Sequence, residues 1–114
     1  MSESFLYLTT TGRKSGLPRR IEIWYVCHNG GYYLVSERRE RSHWVQNLLR
    51  ERTVQFSVGP RARQDAVVPS TQATARIVKA ADEPQLAATI TSLMDEKYHW
   101  SDGLIVELMP ISKT

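Results

Sequence analysis

The chain of 114 residues has a single cysteine, Cys27. One thiol cannot close an internal disulfide, which excludes a disulfide framework and a cysteine-built zinc site and fits a reducing, cytoplasmic setting. The three histidines (His28, His43, His99) are scattered, with no H-x3-H or H-E-x-x-H spacing, so no metal centre is expected. No apolar run approaches the ~20 residues of a membrane span. The opening MSESFLYLTTTG has no basic region ahead of an apolar stretch, so no signal peptide is expected either. The GK[ST] of a phosphate-binding P-loop and the GxSxG of a nucleophile elbow are both missing. The length leaves no room for a dinucleotide domain plus a substrate domain, nor for a TIM barrel of about 250 residues. What is there is an ordinary globular composition, 41% hydrophobic and 24% charged, enough for one domain over residues 1–114 with a single core.

Charge is unevenly spread. Residues 13–63 carry 11 basic and four acidic side chains, a balance of +7 within a net charge of +3. The bases are mostly arginine, whose planar fork suits phosphate and carboxylate. Such a segment is either a solvated basic face or an anion site. No nucleic-acid-binding motif is recognisable, so nucleic acid is not the expected partner.

The hydrophobic pattern predicts strands over 4–10, 20–28, 32–36, 53–59, 71–79 and 104–110. Asn29-Gly30-Gly31 marks a hairpin. Ser42 is placed to cap a helix over about 43–51 with Trp44, Val45, Leu48 and Leu49 on one face. Asp82 is placed to cap a second helix ending near Tyr98, striped by Leu86, Ile90, Leu93 and Met94. Pro69 breaks the pattern over 61–71. Strands joined by turns, with two short helices, predict an α+β fold with a mostly antiparallel sheet. Six strands in so short a chain suggest a small barrel, since closure removes exposed edges.

Two places invite an anion. Gly12-Arg13-Lys14-Ser15-Gly16 lies in a turn with Arg19 and Arg20 beyond it. It is either a solvated hairpin turn or a cradle of backbone amides and cations for phosphate or carboxylate. Arg38, Arg39 and Arg41 precede the first helix, where N-terminal amides favour negative charge. Among the aromatics, Trp24, Tyr25, Tyr32, Tyr33, Trp44, Tyr98 and Trp100 serve either as core and rim or as stacking partners for a planar ring. Tyr98, at the junction of the second helix and the last strand, is the candidate proton or hydrogen-bond donor.

The segments LTTTGRKSGLPR (8–19), IWYV (23–26), S-x-R-x-x-x-x-x-W-V-x-N-L (Ser36 to Leu48) and KYHWSDGLIVELMP (97–110) together resemble the deazaflavin-dependent nitroreductase family, also called nitroreductase/quinone reductase. The resemblance implies a split β-barrel of the pyridoxamine-phosphate-oxidase-like type. It also implies coenzyme F-420, an 8-hydroxy-5-deazaflavin with a phosphate-linked oligoglutamate tail, delivering a hydride to a nitroaromatic, quinone or enone-like acceptor. Carried over residue by residue, Arg13, Lys14, Ser15 and Arg19 match the tail-binding turn. Ser36, Arg38 and Arg41 match the loop near ring and phosphate, and Trp44 and Asn47 match the helix motif that braces it. Tyr98 would serve the acceptor. Glu37 and Arg39 stand where the family loop often has glycine. FMN in a split-barrel flavoprotein reductase, a cofactor-binding protein without turnover, and a homodimer that completes the site are the alternatives the resemblance leaves open.

Overall fold

In a computed structural model that describes residues 4–60 and 70–111, alternation along four strands builds the core. Leu6 and Leu8, Val54 and Phe56, Ala73 and Ala75, and Val106 and Leu108 are each two residues apart, so each pair projects to one face of its strand. All eight meet in one buried cluster with Leu34 and Tyr25, and Val45 and Leu48 of the first helix complete it. The elements follow as β1 (Ser4–Thr11), β2 (Pro18–Ile23), β3 (Val26–His28), β4 (Gly31–Ser36), a 3-10 turn (Arg39–Arg41), α1 (His43–Arg50), β5 (Thr53–Pro60), β6 (Thr71–Val78), α2 (Pro84–Tyr98) and β7 (Leu104–Pro110). The segment 61–69, where Pro69 obscured the pattern, lies outside the described residues, as do Arg61 and Arg63.

The strands form one antiparallel sheet in the order β2-β1-β5-β6-β7-β4-β3. Its two ends, β2 and β3, are separated in sequence by only Trp24 and Tyr25. Laid flat, seven strands would hold their outer members about 29 Å apart. The chain from Ile23 to Val26 reaches at most about 11 Å. The sheet must therefore curl until its edges approach, and the antiparallel α+β barrel expected from the sequence follows. Among the described residues the strands number seven rather than six, because the run 20–28 divides at Trp24–Tyr25. Before the break it pairs with β1 (Leu6 opposite Ile23). After it the chain pairs with β4 (Val26 opposite Tyr33). Side-chain alternation records which face is buried, not which strand lies alongside, so the change of partner left no mark in the pattern.

The Asn29-Gly30 turn is as read: both residues take positive φ, 47° and 82°, the geometry of a two-residue hairpin. Ser42 stands at the N-cap of α1 as expected, but its hydroxyl makes no bond to the helix amides. At the start of α2 the expectation shifts by one residue. Glu83, not Asp82, holds the N-cap, and Pro84 opens the helix with its φ already suited to the first turn.

α2 covers the outer face of β4 and β7. Tyr33, Val35, Val78, Ile105 and Val26 pack there against Ala87, Ile90 and Met94. One ionic group is set into this face. Glu107 on β7 lies opposite Tyr33 on β4 and opposite Arg76 on β6. It accepts from the Tyr33 hydroxyl at 2.7 Å and from Arg76 Nε at 2.8 Å. Arg76 also donates to both carboxylate oxygens of Glu83 at 2.7 and 3.0 Å, which ties the sheet to the start of α2. The bond from Arg76 holds the Glu83 carboxyl below its ordinary value. No helix among the described residues is long and apolar enough to cross a membrane.

Burial, and next the bond to Glu107, push the Tyr33 phenol up to about 12. In the unfolded chain it would ionise near 10. The folded state therefore keeps this proton to higher pH, and stability should fall as pH rises between about 10 and about 12. Absorbance titration at 295 nm should show one tyrosine ionising near 12, absent in Tyr33→Phe. A native titration curve identical to that of the variant would refute the assignment.

Candidate functional site

The turn between β1 and β2 is closed by its own bonds. Gly12 N–H donates to Leu17 O and Gly16 N–H to Gly12 O, both at 2.8 Å, and Leu17 N–H donates to Ser15 Oγ at 3.2 Å. Gly16 has φ 71°, a left-handed conformation that glycine adopts without penalty. The turn is thereby shaped before any ligand arrives, and Ser15 acts as part of that shape.

Arg13 is oriented from α1. Its backbone N–H and its Nη1 both donate to Asn47 Oδ1, at 3.3 and 3.0 Å. Asn47 is buried, and its Nδ2 donates to Thr10 Oγ1 at 3.2 Å, so amide oxygen and nitrogen are both engaged. Arg13 Nη2 lies 3.2 Å from His43 Nδ1, and with a cation as donor that ring nitrogen is the acceptor. His43 and Asn47 are four residues apart and so share one face of α1.

These residues wall a cleft of about 430 Å³ lined by Thr10, Gly12, Arg13, Lys14, Ser15, Arg19, Ile21, His43, Trp44 and Asn47. Among the described residues, three cationic side chains line it and no carboxylate does. Against an anion this one-sided field is not offset locally.

A second cleft of about 590 Å³ adjoins it, with Trp44 in the wall of both. Ser36, Glu37, Arg38 and Ser42 line it together with Phe5, Glu22, Ile23, Trp24, Val35 and Trp100. Ser36 is buried and donates to Arg39 O at 2.9 Å. Its one proton is spent there, so Ser42 is the donor in the 2.7 Å contact between their hydroxyls. That bond is what draws the Ser42 hydroxyl away from capping α1. Gly103 packs against the same loop, where a Cβ would overlap the Ser36 carbonyl.

The sequence-derived residues thus divide as follows. Arg13, Lys14, Ser15, Arg19, Trp44 and Asn47 converge on the basic cleft. Ser36 and Arg38 line the adjoining one. Arg41 lines neither; it sits with Glu37, Arg38, Arg39 and Glu40 around a further hollow in the loop. Tyr98 is not brought to either cleft. Its hydroxyl donates to Tyr25 O at 3.0 Å and accepts from Tyr25 N at 3.1 Å, so its proton is committed to the backbone. His43 went unrecognised in the sequence, although its i, i+4 relation to Asn47 was a usable signal. Of the residues replacing loop glycine, Arg39 keeps a glycine-like backbone (φ 54°) and turns its side chain to Asp102 at 3.1 Å. Glu37 does enter the larger cleft. No cluster of three metal-ligating side chains occurs among the described residues.

Residues 1–101 match the family model for F420H(2)-dependent quinone reductase. No curated protein matches the chain. Among solved structures, the heme storage protein HutZ from Vibrio cholerae superposes with a TM-score of 0.73 at 16% identity, covering 96% of this chain and 82% of that one. An FAD-binding protein from Mesorhizobium loti gives 0.70 at 10% identity, with 96% and 83% covered. An F420 reductase gives 0.62 at 15% identity, with 95% and 86% covered. At these identities the likeness is one of fold, the split β-barrel of pyridoxamine-oxidase-like proteins.

Two variants of Asn47 separate orientation from charge. Asn47→Ala should lower stability by about 1–3 kcal/mol, the cost of leaving buried partners unsatisfied. It should also weaken binding of inorganic tripolyphosphate measured calorimetrically at low salt. Asn47→Asp, of nearly equal size, should weaken that binding further, because its carboxylate competes with the ligand for the Arg13 guanidinium. Native-like tripolyphosphate affinity in the Asp variant would show that Arg13 does not serve an anion.

Proposed function

The chain belongs to the F420H(2)-dependent quinone reductase family, and from that premise we propose that it binds the reduced deazaflavin coenzyme across the two clefts and transfers a hydride to a quinone, nitroaromatic or enone-like acceptor. The observation that carries this reading is the basic cleft: among the described residues, three cations and no carboxylate line it, and Trp44 joins it to a larger cleft rich in aromatic walls. A phosphate and oligoglutamate tail fits the first, and a flat fused ring fits the second.

When bound, the coenzyme supplies the hydride, and the work of the protein is to bind, orient and shield it. Arg13 enters already fixed by Asn47, so little side-chain freedom is lost when it meets an anion. Lys14 and Arg19 add charge from the same turn. The first turn of α1 (His43, Trp44) runs along the cleft wall, and its amides carry partial positive charge. Trp44 stands at the passage between tail and ring. Ser36, held by Arg39 O and Ser42, keeps the loop bearing Arg38 beside the ring. A flavin mononucleotide is the second reading, favoured by the fact that the same three cations would hold a single phosphate equally well.

Titration of the purified protein with F-420 and with FMN tests the proposal. The deazaflavin should bind more tightly, and Arg13→Ala should weaken it by about 1.5–3 kcal/mol, the scale of a charge-assisted bond. Affinity should fall with salt. Tighter FMN binding, or an Arg13→Ala variant that binds the deazaflavin as the native chain does, would overturn it.

A further inference from the structure

The crossing between β2 and β3 places an unusual side chain in the larger cleft. Trp24 lines that cleft with 42% of its surface exposed, although it is among the largest apolar residues of the chain. It does not hang loose. Its ring stacks on Tyr98 with centroids 4.4 Å apart and planes 1° from parallel, and Trp100 meets it edge-on at 6.4 Å. The next residue, Tyr25, is clamped by the last turn of α2. Tyr25 O accepts from Lys97 Nζ at 2.8 Å and from the Tyr98 hydroxyl, and Tyr25 N–H donates back to that hydroxyl. The Lys97 ammonium also lies over the Tyr25 ring at 4.1 Å. Five contacts from two adjacent residues of α2 thus fix the two-residue crossing and hold an exposed indole at the cleft wall.

Resting on the functional reading above, we propose that Trp24 determines acceptor specificity. It is the stacking platform for a flat, uncharged aromatic acceptor such as a fused-ring quinone, and Tyr98 and Lys97 are its positioning residues. A rigid indole presents a planar surface at no cost in side-chain ordering, which selects rings over aliphatic enones. Glu22 and Glu37 line the same cleft with Arg38, so among the described lining residues it has no cationic excess to draw an anionic acceptor. The coenzyme's tail and ring are held from Arg13, Trp44 and Ser36, which leaves the Trp24 wall to the second substrate.

Equilibrium dialysis of menadione against the protein, with and without saturating F-420, reads the platform without turnover. Trp24→Ala should raise the menadione dissociation constant roughly fivefold to tenfold, and Trp24→Phe should restore most of the affinity. The F-420 dissociation constant should be the same in both variants as in the native chain. With reduced coenzyme, the kcat/KM ratio of menadione to 2-cyclohexen-1-one should fall in Trp24→Ala. Tyr98→Phe, which keeps the ring and loses both bonds to Tyr25, should raise KM for menadione and leave the pH profile of kcat in place. A proton donor at that position would change the pH profile instead. Unchanged menadione binding in Trp24→Ala, or an equal loss of F-420 binding, would overturn the proposal. Failure of the native chain to bind F-420 would overturn the functional reading alone, because the coenzyme-free dialysis still compares the variants.

Discussion

Two residues, Trp24 and Tyr25, carry the chain from one edge of the sheet to the other. That short span is the constraint on which the rest of the molecule depends. It cannot bridge a flat seven-stranded sheet, so the sheet closes. Closure turns the alternating apolar residues of β1, β5, β6 and β7 toward one another and leaves α1 to complete that interior with Val45 and Leu48. The crossing is itself held by Lys97 and Tyr98. The outer helix therefore secures the element that closes the barrel, and the same clamp delivers Trp24 to the cleft.

The position of α1 has a second consequence. Because its buried face includes Asn47 as well as Val45 and Leu48, the helix cannot settle on the barrel without also presenting an amide to the β1–β2 turn. A buried amide must be paired. Its partners are Thr10 and Arg13, so the packing of the core and the aim of the cleft's central cation are one event. An isolated basic turn would spread its arginines in solvent. Here one of them is fixed before ligand arrives, which lowers the entropic cost of binding.

Much of this was legible in the sequence. Segments with strict alternation became strands, and Asn29-Gly30 became the hairpin it signalled, because both features are local. The basic cleft was also within reach. Arg13, Lys14, Ser15 and Arg19 lie within seven residues of one another, and Trp44 and Asn47 share one helix face, so two short segments needed only to meet. The parts that escaped are those whose partners are distant. The division of 20–28 depends on which strand lies alongside. The α2 cap is a nearer case: Glu83 takes it beside Pro84, and its carboxylate meets Arg76, seven residues back on β6, once the chain turns into the helix. Arg41 belonged by motif to the site but lines neither cleft, only a hollow that shares Glu37 and Arg38 with the larger one.

Tyr98 shows the boundary most clearly. By sequence it stands at a junction near the end of a helix, where a hydroxyl is free to reach a ligand. In the folded chain a backbone segment 73 residues away takes both its donor and its acceptor capacity. Composition, periodicity and local turn chemistry were enough to determine an α+β barrel, its strands and its cationic turn, because each depends on residues within a few positions of one another. Which face Trp24 presents, what Asn47 holds and where the Tyr98 proton goes were decided only by closure of the barrel. That closure brings together groups whose separation in sequence carries no record of their contact.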